Sequence, residues 1–262
     1  MLIKSKHYTA KYFEEISKNS LRSAKEIIPL IFNYFTPKSI IDIGCGIGAW
    51  LSVWQQHGVN DIQGIDGNYI NRDQLLINTN NFLAAELETY IKLNRRFDLV
   101  MSLEVAEHIK PEFASNFVHT LCSSGDIVLF SAAIPNQGGV LHYNEQYPQY
   151  WIEKFKEFGF LPYDCIRNKI WENANIDVNY RQNILFFIKE EKTGLYPLIT
   201  NDNNMVLPLV HPLHFQHKQD IIRSYQNTLR TPFHAGWYFL KKYCNYLISK
   251  LGYGNKNGSG IN

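Results

Sequence analysis

Short apolar runs alternate with longer amphipathic segments over most of the chain. A broad apolar stripe predicts a helix over residues 10–35, which Pro37 ends. The apolar runs predict seven strands, at residues 39–43, 61–66, 81–85, 97–102, 126–131, 161–167 and 183–189. Because these strands are nearly continuously apolar and alternate with helices, we expect an α/β fold with a mostly parallel sheet covered by helices on both faces.

The pattern changes towards the C-terminus. Residues 193–217 carry Pro, Asn and His with little periodicity, and residues 218–250 regain helical spacing with one proline break. We therefore expect one domain over residues 1–192. We expect residues 193–262 to form a loop and helical appendage that ends in a flexible, glycine-rich tail.

Two apolar stripes in this appendage require a surface to pack against. The first consists of Ile221, Ile222, Tyr225 and Leu229. The second consists of Trp237, Tyr238, Leu240, Tyr243, Leu247 and Leu251. Only three lysines lie beside the second stripe, and this small number of positive charges would attract anionic lipid only weakly. We expect these faces to pack on the protein's own domain first, on a second copy in a homodimer next, and on a membrane last.

Charge and composition exclude several classes of partner. The formal net charge is only +2 and no run of Lys and Arg occurs, so we expect no nucleic-acid partner. No apolar run reaches about 18 residues, so we expect no membrane span. The four cysteines form no CxxC pair and the N-terminus has no apolar signal region, which favours a reduced, cytoplasmic protein.

A glycine-rich turn follows the first predicted strand. In DIGCGIG, Asp42 precedes Gly44, Gly46 and Gly48. Glycines at a strand-to-helix turn let the backbone approach a ligand closely. Asp42 is placed to bind a cation, such as the ammonium of a methionyl group, directly or through water. A plain strand–helix turn and a dinucleotide site are the alternatives.

Acidic residues also follow the second and third predicted strands. Asp66 ends the second strand, where a carboxylate can accept both hydroxyls of a ribose. Its alternative is a turn aspartate before Gly67. Glu86 follows the third strand and is a candidate acceptor for an adenine amino group, with Leu87 against the ring; a surface glutamate is the alternative.

Taken together, DIGCGIGAW, GID, the AEL step and FDLVMSLEVAEHI resemble the class I S-adenosylmethionine-dependent methyltransferases over about residues 8–190. HYTAKYF, SAAIPNQGG, HYNEQYPQYW and YRQN bring the chain nearest to a bacterial group of polysaccharide and secondary-metabolite pathways. The resemblance implies S-adenosylmethionine as the cofactor and a Rossmann-like, seven-stranded sheet with a final antiparallel strand. We also place Leu103, directly after the fourth predicted strand, in the cofactor-binding set.

A cluster of acidic and histidine residues follows the fourth predicted strand. Glu104, Glu107 and His108 lie within five residues, and His142 comes from the segment after the fifth strand. These four are candidate ligands of a divalent metal such as Mg²⁺, in an arrangement similar to the metal sites of small-RNA 2′-O-methyltransferases and ubiquinone-pathway O-methyltransferases. His142, Glu104 and His108 are the candidate catalytic residues, with His142 acting as a general base if no metal is bound. The further alternative is a structural role.

Several other residues have two interpretations. Asn144, Glu145 and Gln146 lie near the expected acceptor pocket, which Tyr147, Tyr150 and Trp151 either line or leave for the helix core. Arg181 either binds an anion or, as we expect, lies at the surface. His211, His214 and His217 form a packed or surface cluster rather than a metal site. Tyr8, Tyr12 and Phe13 are candidates for a lid over the cofactor.

The function expected from these observations is methyl transfer from S-adenosylmethionine to a small-molecule acceptor, in small-molecule biosynthesis. A hydroxyl of a sugar or related metabolite is the first choice for the acceptor. Methylation of an amine, such as an amino sugar or a phosphorylated amino alcohol, is the first alternative. A non-catalytic cofactor-binding subunit is the second alternative.

Overall fold

A computed structural model of the chain describes residues 10–202, 205–229 and 236–244, with side chains throughout except at residues 10–16 and 228–229. The central sheet has seven strands: β1 Ser39–Ile43, β2 Asp61–Asp66, β3 Phe82–Ala84, β4 Leu99–Leu103, β5 Ile127–Ser131, β6 Phe160–Tyr163 and β7 Leu185–Lys189. The expected Rossmann-like, seven-stranded fold is confirmed.

The strand order is β3-β2-β1-β4-β5-β7-β6. Strands β1 to β5 pair in parallel, and β7 runs antiparallel to both β5 and β6. The chain leaves β1 towards β2 and β3, then crosses to the other side of β1 to form β4. This reversal is the point at which open α/β sheets bind ligands, at the carboxyl ends of the strands.

The α-helices of the described residues include α1 Ala10–Phe32, α2 Ala49–Gln56, α3 Ala114–Ser124, α4 Pro148–Lys156, α5 Arg167–Ile170, α6 Val178–Asn183, α7 Pro197–Asn201 and α8 Pro212–Leu229. Residues 236–244 are also helical. Short 3₁₀ turns include Ala106–His108, which directly follows β4.

Successive side chains of each strand enter opposite faces of the sheet, so the molecule has two apolar cores. In β5, Leu129 packs into the core that also contains Trp54 of α2, whereas Phe130 packs into the core that contains Phe117 of α3. Helices α1 and α2 cover the first core, and α3 and α4 cover the second. The expectation of helices on both faces is confirmed.

The described residues form two compact units, divided between His211 and Pro212. In the second unit, several large apolar side chains are exposed: Ile222, Tyr225, Trp237, Leu240 and Tyr243. Leu247 and Leu251, which we assigned to the same apolar stripe, lie outside the described residues. Among the described helices, none has the length and apolar character that a membrane crossing requires.

Candidate cofactor and acceptor site

A cavity of about 900 Å³ opens at the carboxyl ends of β1, β2, β3 and β4. This size lies within the range of small-molecule and cofactor sites. The lining residues include most of the candidates from the sequence: Asp42, Gly44, Gly46, Asp66, Glu86, Leu87, Leu103, Glu104, Glu107, His108 and His142. Residues from distant parts of the sequence thus meet where the sheet topology reverses.

The glycine turn after β1 brings backbone to the cavity wall. Gly44 has a φ of 90°, and a Cβ at this position would overlap the side chain of Val105. The N–H groups of Gly44 and Cys45 both donate to the carbonyl of Ile65, at 2.7 and 3.1 Å. The turn is therefore held against the end of β2, and only a glycine fits at its start.

Gly48 has a different place from the other two glycines. It is the N-cap of α2, with a φ of 83°, and it is not among the residues that line the cavity. A Cβ at Gly48 would lie 2.9 Å from the side chain of Ile77. The structure thus gives Gly48 a role in turning the chain into α2 rather than a position facing a ligand.

Asp66 joins the end of β2 to the glycine turn. Its Oδ2 accepts the N–H of Gly46 at 2.7 Å, and its Oδ1 accepts the N–H of Gly67 and the hydroxyl of Tyr69, both at 2.6 Å. The carboxylate lies at the cavity wall with its side chain almost fully buried. This is the position at which we expect a ribose acceptor.

Asp42 is the second buried acid beside the glycine turn. It is only 3% exposed, and burial together with the nearby Asp66 carboxylate raises the pKa of Asp42 to about 8. Both causes act against the charged form. A cation in the cavity would favour the carboxylate of Asp42 and lower this pKa.

The rest of the expected cofactor wall comes from β3 and β4. Leu87 and Leu103 are buried apolar residues at the cavity, whereas Glu86 is exposed to solvent at its edge. The buried Leu87 side chain could pack against a flat ring such as adenine, and the exposed Glu86 carboxylate could accept a hydrogen bond from an amino group at the outer edge of that ring. The same positions are compatible with the surface role that we kept open for Glu86.

Helices α1 and α6 supply a part of the wall that the sequence did not reveal. Tyr180 is buried, with its hydroxyl 3.0 Å from Ser20 Oγ and 3.4 Å from Trp50 Nε1, which donates to it. Asp177, which caps α6, lines the same cavity. The YRQN segment drew attention to this region, but the packing of α1 against α6 is a tertiary contact that no local pattern predicts.

Glu104 has an unusual backbone conformation and a fully engaged side chain. Its φ is 55°, and its carboxylate accepts Gln137 Nε2 at 2.8 Å and Asn183 Nδ2 at 3.1 Å. Burial raises the pKa of Glu104, while the hydrogen bonds from Asn183, Gln137 and Ser131 oppose that rise. Gln137 and Asn183 are partners that the sequence did not identify.

Three of the four proposed metal ligands come together. Glu107, His108 and His142 each offer a ligand atom, and these atoms lie within 4.8 Å of one another. Glu104 lies outside this group in the structure, since amide donors hold its carboxylate. Burial, and then the neighbouring Glu104, raises the pKa of Glu107 well above its usual value. Within the described residues, Glu107 Oε2 is buried without a hydrogen-bond partner.

Both imidazoles in this group have Nδ1 against an acceptor. His108 Nδ1 lies 3.2 Å from the carbonyl of Leu141, and His142 Nδ1 lies 2.8 Å from Glu145 Oε1. An acceptor on Nδ1 is the arrangement that orients metal-binding and general-base histidines. Although burial raises the pKa of Glu145, its hydrogen bonds with His142, Gly138 and Asn136 lower it overall.

The remaining candidates do not line the cavity. Trp151 is buried in the core beside Phe130, which confirms the helix-core interpretation, and Tyr147 is exposed. The expectation of a surface Arg181 is wrong: the side chain is buried, and Nη1 donates to the carbonyl of Trp171. An isolated sequence cannot show the buried carbonyl that accepts this guanidinium.

His211 is buried, and its Nε2 lies 2.9 Å from the carbonyl of Trp171, as expected of a packed histidine. The side chains of the three lid candidates, Tyr8, Tyr12 and Phe13, lie outside the described residues.

Comparison with known families agrees with the fold. A family model described as a methyltransferase domain matches residues 8–177, which is more than half of the chain. The chain therefore belongs to this methyltransferase family.

Individual relatives are distant. The mitochondrial ubiquinone biosynthesis O-methyltransferase of Dictyostelium discoideum is 26% identical over 138 residues, which are 46% of this chain and 40% of that protein. The chain thus spans less than half the length of this curated relative.

Solved structures are similar in fold. An O-methyltransferase family protein from Burkholderia thailandensis has a TM-score of 0.51 at 12% identity, over 70% of this chain and 60% of that one. Magnesium protoporphyrin IX methyltransferase from Synechocystis, with bound S-adenosylmethionine, has a TM-score of 0.48 at 17% identity, over 70% and 86% of the two chains.

Proposed function

We propose that this enzyme methylates a hydroxyl of a sugar or related small metabolite, in a polysaccharide or secondary-metabolite pathway. The observation that carries the proposal is the group of Glu107, His108 and His142 beside the cavity. A hydroxyl is a poor nucleophile until its proton is removed or a cation stabilises the oxyanion. This group offers residues for either task.

The cofactor fits the part of the cavity between β1 and β3. S-adenosylmethionine, when bound, supplies an electrophilic methyl group on a sulfonium. Gly46, where an added Cβ would meet nothing within 4 Å, leaves room for close approach. Asp42 would attract the methionyl ammonium, and Asp66 would accept the ribose hydroxyls. Leu87 and Glu86 would contact the adenine. Asp66 would exchange its bond with the Tyr69 hydroxyl for a bond with the ribose.

The charge of the cavity also suits these ligands. Of the described residues that line it, seven are Asp or Glu and one, Lys110, is a lysine. Lys110 lies 3.7 Å from Glu88, another of these acids. Burial raises the pKa of Asp42, Glu104 and Glu107, but the other four acids still outnumber the single lysine. Such a wall favours a cationic cofactor and a neutral or cationic acceptor, and it disfavours a phosphorylated acceptor. Arg181, the anion-binding candidate, is directed to a backbone carbonyl instead.

A divalent metal fits the histidine group. The buried, unpartnered Oε2 of Glu107 and two imidazoles with acceptors on Nδ1 form a donor set that Mg²⁺ or a similar ion would satisfy. A bound cation would lower the pKa of a coordinated hydroxyl. If no cation binds, His142 takes the hydroxyl proton at Nε2, while Glu145 stabilises the resulting imidazolium.

The acidic wall equally favours an amine acceptor, which is the second candidate function. An amine needs only to lose its proton, so it gains less from a metal or a base than a hydroxyl does. We therefore expect the two functions to differ in their response to chelation.

The four free cysteines agree with a reduced cytoplasmic compartment, which remains part of the proposal.

The test is methyl transfer from labelled S-adenosylmethionine to matched neutral sugars, catechols, amino sugars and phosphorylated amines, with Mg²⁺ or with EDTA. We expect a product with a hydroxyl acceptor and a lower rate in EDTA. Product formation only with amines, unaffected by EDTA, would instead support the second candidate. Cofactor binding without transfer to any acceptor of these classes would favour a non-catalytic subunit.

A further inference from the structure

The segment between β5 and α4 folds around one carboxylate. Glu145 accepts the N–H of Asn136 on Oε2 and the N–H of Gly138 on Oε1, each at 2.7 Å. Asn136 and Gly138 have φ angles of 67° and 81°, a region that non-glycine residues seldom occupy. The two hydrogen bonds therefore hold this part of the chain in a conformation that it would not readily keep alone.

The same carboxylate also binds the candidate base. Glu145 Oε1 lies 2.8 Å from His142 Nδ1, and the two side chains are only 19% and 12% exposed. A carboxylate accepts hydrogen bonds and does not donate them, so Nδ1 carries the ring proton. Nε2 is then the acceptor of the imidazole, which is the form that a base or a metal ligand requires.

The other edge of the ring has little free space. A Cβ at Gly139 would overlap Nε2 and Cε1 of His142. The ring also meets His108 edge to face. Because Glu145 holds Nδ1 and the Gly139 backbone lies close to the opposite edge, the imidazole has little room to rotate about its Cβ–Cγ bond, which would put Cδ2 in the place of Nδ1.

We propose that Glu145 is a positioning residue that sets the tautomer of His142 and couples it to the fold of residues 136–145. The inference rests on the proposed role of His142 at the acceptor side of the cavity. If Glu145 is removed, Asn136 and Gly138 lose their acceptor at the same time as the ring loses its orienting partner. The segment and the imidazole should then lose order together.

The experiment is long-range ¹H–¹⁵N NMR of histidine-labelled protein, at a pH where the imidazoles are neutral. The ¹⁵N shifts distinguish the two tautomers, and a His142→Gln variant assigns the signal. We expect the Nδ1–H tautomer in the wild-type protein. In Glu145→Leu, Nδ1 has no acceptor at this position, so the Nε2–H tautomer, which predominates in free histidine, should appear. Glu153→Gln, an exposed change on α4, should leave the wild-type spectrum unaltered.

A second variant checks the coupling. In Glu145→Ala, amide hydrogen exchange at Asn136 and Gly138 should accelerate at least tenfold. The Gln146 amide, which donates to the carbonyl of Ala133, is the internal reference and should change little. Unchanged exchange at the first two amides would contradict the coupling.

Two NMR results would contradict the assignment of the His142 tautomer. An Nε2–H tautomer in the wild-type protein, or an unaltered tautomer in a folded Glu145→Leu variant, would overturn the assignment. None of these measurements requires cofactor or acceptor. Failure of the proposed methyl transfer would therefore be distinguishable from failure of this inference.

Discussion

The imidazole rings of His108 and His142 meet edge to face, with centroids 4.8 Å apart and planes inclined at 86°. Each ring has Nδ1 near an oxygen acceptor, the carbonyl of Leu141 for one and the carboxylate of Glu145 for the other. Since Glu107 lies in the same group, three ligand-type residues converge at the edge of the cavity.

The first prediction concerns metal binding by this group. Mn²⁺ titrated calorimetrically into the wild-type protein should bind at one site, and Glu107→Gln or His108→Gln should abolish the binding because each removes a ligand. Glu112→Gln, at an exposed position on the next turn, is the matched control and should bind as the wild type does. Wild-type protein that takes up no Mn²⁺ would leave only the general-base interpretation of His142.

The second prediction separates turnover from cofactor binding. His142→Ala should reduce the rate of methyl transfer about 10²–10⁴-fold, which is the usual contribution of a general base. Its affinity for S-adenosylmethionine should stay near that of the wild type, because the ring lies on the acceptor side. His119→Ala changes a histidine stacked between Tyr90 and Phe158 outside the cavity, and its rate should not fall. Normal turnover by His142→Ala would exclude both roles proposed for this residue.

The third prediction follows from the pKa of Asp42, raised to about 8 by burial and by Asp66. Below pH 8 much of this carboxyl is protonated, and a bound cation should lower the pKa and release the proton. Cofactor binding at pH 7 should therefore show a calorimetric heat that depends on the ionisation enthalpy of the buffer. The cofactor's own amino group titrates in the same range, so the reference is Asp42→Asn. Equal proton release by both proteins would contradict the prediction.

The fourth prediction separates backbone conformation from steric overlap. Gly44 and Gly58 have almost the same φ, 90° and 88°, but a Cβ would overlap Val105 only at Gly44. Alanine at either position should cost about 1–2 kcal/mol of unfolding free energy from the left-handed backbone. Gly44→Ala should lose a further ~1–3 kcal/mol from overpacking. Denaturant unfolding measures both values, and equal losses would show that the contact with Val105 relaxes freely.

The fifth prediction concerns the C-terminal unit. A chain that ends at His211 keeps every residue described as lining the cavity, so it should still bind S-adenosylmethionine. Exposed apolar faces such as those of Trp237 and Leu240 are uncommon in monomers. We therefore expect the truncated chain to melt at a lower temperature or to change its particle mass in light scattering. If neither the melting temperature nor the particle mass changes on truncation, the C-terminal unit has no packing role.

The strands were predictable because each of them is a short, nearly continuous apolar run, which is a local feature of the sequence. β1 and β2 have the predicted limits, and the predicted positions of Asp42 and Asp66 follow from where these strands end. The expected helix over residues 218–250 differs from the structure, in which α8 begins at Pro212. A proline is acceptable in a first turn, but the surrounding sequence lacks the apolar spacing that reveals a helix.

Other site residues could not be found from local patterns. Tyr180 and Trp50 are 130 positions apart in sequence and meet only because α2 and α6 pack at the same edge of the sheet. Gln137 and Asn183 were overlooked as the partners of Glu104, because an amide has no preferred spacing from the carboxylate that it binds. Such contacts depend on the whole fold.

Calorimetric binding of S-adenosylmethionine to Asp66→Ala shows whether this cavity holds the cofactor through the acid at the end of β2. The variant should bind about 1.5–3 kcal/mol more weakly than the wild type, because it lacks the charged ribose acceptor. Asp61→Ala, at the opposite end of the same strand and paired with Arg95, should bind as the wild type does. An unchanged affinity in folded Asp66→Ala protein would contradict the account.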